Sequence, residues 1–442
     1  MTTSLRGSRD PVRRVSRGGL GGVANPARAS GAYRGLAPLQ PGRSGFSPGL
    51  AARRERGGRL RGLARRAFAR NSPLRHMDWI LLASVLALCL IGTLLVWSST
   101  KPGLVSSGGD PNTYLDKNLL NIGLGLVFLV VVSFLDYRQL RLYAPVVYVV
   151  ACLGLLVVLT PLGSVVNGAH SWITLPAGFQ IEPSEYAKLS VILISAILLS
   201  ELRQGEKRPR IRAVAMALAI AAVPIVLVVA EPDLGVVILL LSLVIGLAAL
   251  SGIQWYWLVG GLAAGALALT AVINLHLLKS YQTSRLTAFL HPSADPRGTG
   301  YSAAQSKISI GSGGLFGQGL FHGQLISGNF VPEQHTDFIF SVAGEELGFV
   351  GCAVIIALLA VVLLRALRIA AKADDQFGML VASGVAIWFG VQAFINIGMT
   401  MGIMPVTGLP LPFVSYGGSA LFADMIAIGC LQAVYRHHRV FS

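Results

Sequence analysis

The sequence predicts an all-α polytopic membrane protein. It is expected to be a bundle of about ten transmembrane helices with one large extracytoplasmic loop between spans seven and eight. Three observations predict this. Hydrophobic residues make up 53% of the 442 residues and charged residues only 13%, about half the charged share of an average soluble domain. Mean hydropathy is +0.65. Apolar stretches of spanning length recur along the chain, and the basic residues between them are biased to one side. A soluble enzyme, a collagen, a coiled coil and a disulfide scaffold are excluded.

The first element is a tail, residues 1–76, rich in Arg, Gly, Ser, Pro and Ala. It holds too few large apolar residues to offset its ordering entropy, so it reads as disordered. It also lacks the apolar core of a signal peptide. The net charge of +16 comes almost wholly from here: residues 1–77 carry 17 Arg against Asp10 and Glu55, whereas residues 78–442 are nearly neutral. The basicity is therefore a topology signal, and no nucleic-acid partner is expected. An Arg-rich segment beside a first span favours a cytoplasmic N-terminus and suits contact with anionic headgroups.

The body, residues 77–442, contains the spans. They are expected at about 79–98, 118–135, 143–160, 185–200, 211–230, 234–251, 255–275, 338–364, 378–402 and 416–435. The fifth and sixth are divided only by Glu231-Pro232-Asp233, a turn, because Pro breaks a helix. With the N-terminus inside, the inner loops carry about twice the Lys and Arg of the outer ones. Both termini are then cytoplasmic. Cys89, Cys152, Cys352 and Cys430 lie in apolar runs as packing residues, without metal or disulfide spacing.

Polar chemistry gathers in the outer segments. Pro183 suits the first turn of the fourth span, and Glu185 follows where the helix dipole favours a carboxylate. Lys188 lies on the same face. On spacing alone the two read as a capping ion pair or as part of a cavity. Asp233 reads equally as a cap of the sixth span and as a partner for Lys188. The outer loop, 276–337, is too long to be a mere connection. Its glycines, Gly311 to Gly319, permit close backbone approach, a partly re-entrant path or a phosphate cradle. Asp295, before a proline, is a turn former or a general base. Glu333, His335 and Asp337, with Glu345 and Glu346, exceed what capping the eighth span requires. Asp424 lies within the tenth span, where an acid is a functional candidate.

These residues resemble the SEDS family (RodA, FtsW and SpoVE). The resemblance rests on Asn396, Gly402, Pro405, Gly408-Leu409 and the run Phe413 to Ala420, which contains Ser415. Asn167 to Ile173, Pro183-Ser184-Glu185 with Lys188, Pro232 to Gly235, Gln305-Ser306-Lys307, His335 to Phe340 and Glu345 to Gly348 also match. The match spans about 77–442. The Gln305–Gly314 run is more similar to RodA than to FtsW, and Asp424 departs from the pattern.

The resemblance implies a peptidoglycan glycosyltransferase that polymerises lipid II during elongation of the bacterial cell wall. Asp295 becomes the catalytic carboxylate, a general base, and Glu185, Lys188 and Asp233 cavity positions. Attack by a sugar hydroxyl, with Asp295 taking its proton, would invert the anomeric carbon and release undecaprenyl diphosphate. Arg285, Arg297, Lys307 or a divalent cation, Mg2+ or Mn2+, are candidates for stabilising that leaving group. Arg285, Lys307, His335, Asp337 and Ser415 complete the expected binding residues, and no organic cofactor is expected. The implied partners are a class B penicillin-binding protein and other elongation-complex membrane proteins. A lipid II flippase and an FtsW-like division polymerase are the alternatives.

Overall fold

The computed structural model describes residues 76–166, 169–174, 180–201, 211–274, 285, 289 and 298–441. The tail, but for His76, lies outside them, as do Asp295 and Arg297. The chain begins with α1 (Trp79–Ser106), α2 (Thr113–Phe134) and α3 (Tyr137–Val158). Strands β1 (Gly163–Val166), β2 (Ala169–Thr174) and β3 (Gln180–Ile181) follow, then α4 (Pro183–Ser200), α5 (Ile211–Ala230), α6 (Leu234–Leu250) and α7 (Trp255–Asn274). The segment between α7 and α10 holds α8 (Thr299–Ser312) and α9 (Gln324–Ser327), and α10 (Ile339–Ala371), α11 (Gln376–Thr400) and α12 (Gly418–Phe441) complete the chain. Ten long helices thus occupy the ten expected stretches, and among the described residues eight are long and apolar enough to cross a membrane. The fold is a polytopic helical membrane bundle.

Several boundaries have a visible cause. Asp78 caps α1 by accepting from the Leu81 N–H at 3.1 Å, and Asp375 caps α11 by accepting from Gly378 at 2.9 Å. Such caps satisfy donors that a helix start leaves orphaned. The helix α1 runs past the expected end of its span to Ser106, with Pro102 inside it. The small antiparallel sheet β1-β2-β3 was not anticipated. Its alternation is too short to stand out from a loop.

Three helices form the centre. Buried residues make up 78% of the spanning window of α4 and 72% of those of α11 and α12, against 22% for α3, which therefore lies at the rim. Leu142 and Val150 of α3 are 70% and 62% exposed, as a lipid-facing surface requires. A central helix has no lipid face, so α4 buries Ser184, Glu185, Lys188 and Ser190 among its apolar residues. At the opposite end of the bundle Arg365 of α10 pairs with Asp78 at 2.5 Å. Gln432 of α12 brackets the Asp78 backbone, accepting from its N–H at 2.9 Å and donating to its C=O at 3.0 Å. Three helices are thereby tied at one end.

The glycine run resolves into close backbone approach. The helix α10 is broken at Gly348, with φ of +67°. There Phe349 and Val350 donate to the carbonyls of Gly314 and Leu315 at 2.9 and 3.1 Å, while Gln318 and Gly319 donate to those of Glu345 and Glu346 at 2.9 and 3.0 Å. The loop takes over hydrogen bonds that the kink releases, as membrane-depth backbone must. A Cβ at Gly313 would lie 1.9 Å from the Gly344 carbonyl oxygen, and one at Gly317 2.2 Å from that of Glu346.

Candidate active site

The cavity forms where the N-terminal end of α2, the sheet, the α5–α6 turn, residues 333–337 and residues 407–418 converge. It encloses about 930 Å3, near the upper end of the usual range for ligand pockets. Its charged lining comprises Asp116 and Lys117 at the start of α2 together with Glu182, Asp233, Arg285, Glu333, His335 and Asp337. Beside it is an apolar wall of Leu120, Leu124, Phe128 and Phe422 from α2 and α12. Phe128 is 40% exposed, so this wall continues onto the lipid-facing surface. A polar chamber and an apolar trough therefore share one volume.

The expected residues divide into three groups. Asp233, Arg285, His335 and Asp337 line the cavity. Both readings of Asp233 as a cap and as a cavity acid apply, for it also accepts from the Val236 N–H at 3.1 Å. Its proposed pairing with Lys188 does not form. Lys188 Nζ instead pairs with Glu185 at 2.5 Å and donates to Gln392 Oε1 at 3.1 Å. Glu185 and Lys188 are 1% and 0% exposed. They lie beneath the chamber rather than on its wall, where an ion pair holds only if its remaining groups are bonded.

Lys307 and Ser415 stand outside the chamber. Lys307 is exposed on α8 and lies against Gly402. Ser415 Oγ accepts from the Leu411 N–H at 2.8 Å and so closes the turn before α12. Glu345 and Glu346 are fasteners. Glu345 accepts from Ser309 Oγ at 2.6 Å and from Leu325 N–H at 2.8 Å. Glu346 accepts from Ser98 and from Phe321 N–H, which ties α1 and the glycine loop to α10. Asp424 is 2% exposed and its Oδ1 has no hydrogen-bond partner among the described residues. Phe413, in the turn before α12, has a strained φ of +64°.

The amides of α11 set the floor. Gln392 Nε2 donates to Pro410 O at 2.8 Å while Gln392 Oε1 accepts from Trp388 Nε1 at 2.7 Å. Asn396 Nδ2 donates to Leu409 O at 2.7 Å and Asp337 O at 2.8 Å. The two segments bearing Asp337 and Gly408 are thus anchored to one helix. Gly408 has φ of +81°, and a Cβ there would lie 3.5 Å from Asp337 Oδ2. Gln392, Tyr114 and Glu182 were not singled out from the sequence. A lone amide inside an apolar run was the available signal for Gln392.

Burial dominates the electrostatics. It pushes the Asp337 carboxyl up to about 7, helped by Glu333 and Asp233 and opposed by Arg285. It raises Asp233 against the Val236 N–H, and raises Glu182 with help from Glu185 and Asp233. It lowers His335 against the pull of Glu333, which keeps that imidazole neutral near pH 7. Arg285 donates to Thr407 O at 3.2 Å among these acids. Among the described residues no three His, Cys, Asp or Glu side chains could hold a metal ion together.

The family model for cell cycle proteins of the FtsW, RodA and SpoVE type matches residues 78–440. The peptidoglycan glycosyltransferase MrdB of Escherichia coli is 37% identical over 367 residues, covering 83% of this chain and 95% of that one. A probable peptidoglycan glycosyltransferase FtsW of Trichlorobacter lovleyi is 36% identical, covering 81% and 93%. A solved peptidoglycan synthase complex, described as coordinating polymerisation and crosslinking, aligns with a TM-score of 0.69 at 32% identity over 82% of this chain and 98% of its own. With nearly all of the body matched, the expectation drawn from its motifs holds: the chain belongs to the FtsW, RodA and SpoVE family, the SEDS proteins.

Proposed function

We propose that this chain is a peptidoglycan glycosyltransferase that polymerises lipid II into glycan strands for elongation of the bacterial cell wall. The observation that carries the reading is the cavity, in which a charged chamber opens into an apolar trough. A sugar on a polyprenyl diphosphate needs both at once. The polar head requires cationic and hydrogen-bonding groups, and the chain requires a path to lipid. The similarity to named glycosyltransferases supports the same reading.

In this scheme the donor sugar is linked α to the lipid diphosphate. A hydroxyl of the acceptor sugar attacks its anomeric carbon. The new C–O bond forms as the bond to the diphosphate oxygen breaks, and the leaving group departs with the electron pair. Asp295 takes the hydroxyl proton, and one displacement gives the β linkage. Arg285 faces the diphosphate and offsets its developing charge. A divalent ion, Mg2+ or Mn2+, would be held by one or two of the chamber's carboxylates together with the diphosphate and would offset the charge of the leaving group. The active site faces outward, both termini are cytoplasmic, and the membrane is the bacterial plasma membrane. A class B penicillin-binding protein that cross-links the product is the partner, together with other elongation-complex membrane proteins. The RodA-like Gln305–Gly314 run favours elongation over division.

Purified protein incubated with labelled lipid II tests this. Wild type is expected to give polymer on a gel. Asp295→Asn is expected to stay folded and lose ~10²–10⁴-fold in rate. Polymer from Asp295→Asn at the wild-type rate would remove the general base. No polymer from wild type, even with a transpeptidase partner, would shift the assignment to a lipid II flippase.

A further inference from the structure

The helix α8 is built inside out. Ser302, Ser306 and Ser309 share one face, by the spacing of helix neighbours, and all three are buried. Ser309 Oγ donates to Glu345 Oε2 at 2.6 Å, and Ser306 Oγ donates to Thr400 O at 2.9 Å. Ile308 points away from that face and is 55% exposed. In the glycine loop that follows, Leu315 and Phe316 are 65% and 80% exposed. A helix beside water turns its apolar residues inward and its polar ones outward. Here the hydroxyls hold the bundle and the large apolar side chains face away from it.

The loop meets α10 at the point where that helix begins to face lipid. Gly314 and Leu315 accept from Phe349 and Val350, the first exposed apolar residues of α10. The apolar run Phe349–Leu364 is about 24 Å long at ~1.5 Å per residue. That is short of the ~30 Å hydrocarbon core of a bilayer. Toward the start of α10 the next residues are Glu345, Glu346 and the kink at Gly348, all buried. Leu315 and Phe316 lie there instead and extend the exposed apolar surface. Met401 and Ile403, just past α11, are exposed as well, beside the Thr400 carbonyl that Ser306 holds. Lys307 marks the edge: a Cβ at Gly402 would lie 3.2 Å from both its Cδ and its Nζ. Its stem thus lies along the end of α11 with the ammonium at the tip, the posture of a lysine at a membrane boundary.

We infer that α8 and the glycine loop form a re-entrant, lipid-seated element, in which Ile308, Leu315 and Phe316 dock among the acyl chains of the leaflet at that end of the bundle. Two observations make the occupant lipid. The exposed face continues the lipid-facing surface of α10 without a break at Phe349. The loop backbone is also bonded to α10 at Gly314, Leu315, Gln318 and Gly319, as non-helical backbone at membrane depth must be. This seat is independent of the chemistry proposed for the chamber. It makes the bilayer a third support for the segment that leads to Glu333, His335 and Asp337, beside α10 and α11.

Photolabelling of the unmodified full chain tests the seat. The protein is placed in nanodiscs of phosphatidylcholine and phosphatidylglycerol that include a phospholipid with a diazirine at the end of one acyl chain. A second sample receives a water-soluble diazirine instead. After photolysis, adducts are mapped by mass spectrometry. Residues 308–316 are expected to take acyl adducts at the level of Phe349–Ile356. That is about tenfold above the exposed turn Ser106–Asn112, the partition that burying one large apolar side chain supports. The water-soluble reagent is expected to give the reverse order. Acyl adducts over 308–316 no higher than over the turn, or heavier labelling there from water, would overturn the seat. Acyl adducts that vanish when a class B penicillin-binding protein is co-reconstituted would overturn it too, since the face would then belong to a protein.

Discussion

Arg285 is the side chain on which the proposed chemistry leans hardest among the described residues. It stands among Asp233, Asp337 and Glu333 and is bonded to Thr407 O. Replacing it with Ala removes one of the two described Lys or Arg side chains that line the cavity, the other being Lys117, and leaves the acids behind. The initial rate of lipid II polymerisation for Arg285→Ala is expected to fall at least ~10²-fold. Glu231 makes a separate prediction about stability. It is fully buried in the α5–α6 turn, and neither carboxylate oxygen has a partner. Burial, with help from Asp233, pushes it from 4.5 up to about 8. Between those values the folded chain holds a proton that the unfolded chain has released. Stability therefore falls as pH rises through that window. Glu231→Gln keeps the shape and cannot ionise. Its melting temperature in detergent is expected to fall less than that of wild type between about pH 5 and about pH 8. An equal fall in both would show that Glu231 is solvated or bonded in solution. At this scale the sequence indicated which residue types mattered but not their use. The Glu185–Lys188 spacing was compatible with cap or cavity alike. Only the packing of α4 at the centre of the bundle places the pair under the chamber floor.

The decisive element is the kinked helix α10 with the glycine loop laid against it. Gly313 and Gly311 test it side by side. A Cβ at Gly313 would meet the Gly344 carbonyl at 1.9 Å, whereas one at Gly311 meets nothing within 4 Å. Gly313→Ala is expected to destabilise by on the order of 2–3 kcal/mol, since backbone must move. Gly311→Ala, inside α8, is expected to be neutral or to stabilise by ~0.5–1 kcal/mol. Thermal melts of the two variants check both. Similar melting temperatures would mean that the loop is not seated on α10. The positions of the long helices were legible beforehand, because a run of apolar residues of bilayer length has few other uses. The seat of α8, the kink at Gly348 and the three-stranded sheet were not. Each depends on contacts between segments distant in sequence, and glycine marks permission for such a contact without naming the other side.

Across the whole molecule, charge and bundle are separate. Nearly all of the net charge of +16 lies in the first 77 residues, ahead of a near-neutral body. A chain shortened to begin at Met77 is expected to polymerise lipid II at close to the full rate. It is also expected to lose salt-sensitive binding to anionic vesicles, since such attraction fades beyond a Debye length of ~8 Å at physiological salt. Vesicle flotation at low and high salt, run beside the polymerisation assay, measures both. A large loss of polymerisation would give the tail a catalytic role that its composition does not suggest.

The sequence by itself determined the membrane class, the ten helical stretches, the split between tail and body, and the family. These follow from composition, from hydrophobic length and from motifs read in order, none of which needs a partner across the fold. Tertiary structure decided which acids share a chamber. Asp233, Asp337, Arg285 and His335 meet because α11 anchors the 333–338 and 407–411 segments through Gln392 and Asn396. It also decided that Glu345 and Glu346 serve as fasteners. Whether a buried carboxylate is bonded depends on what surrounds it, and its surroundings are set by the packing of helices far apart along the chain.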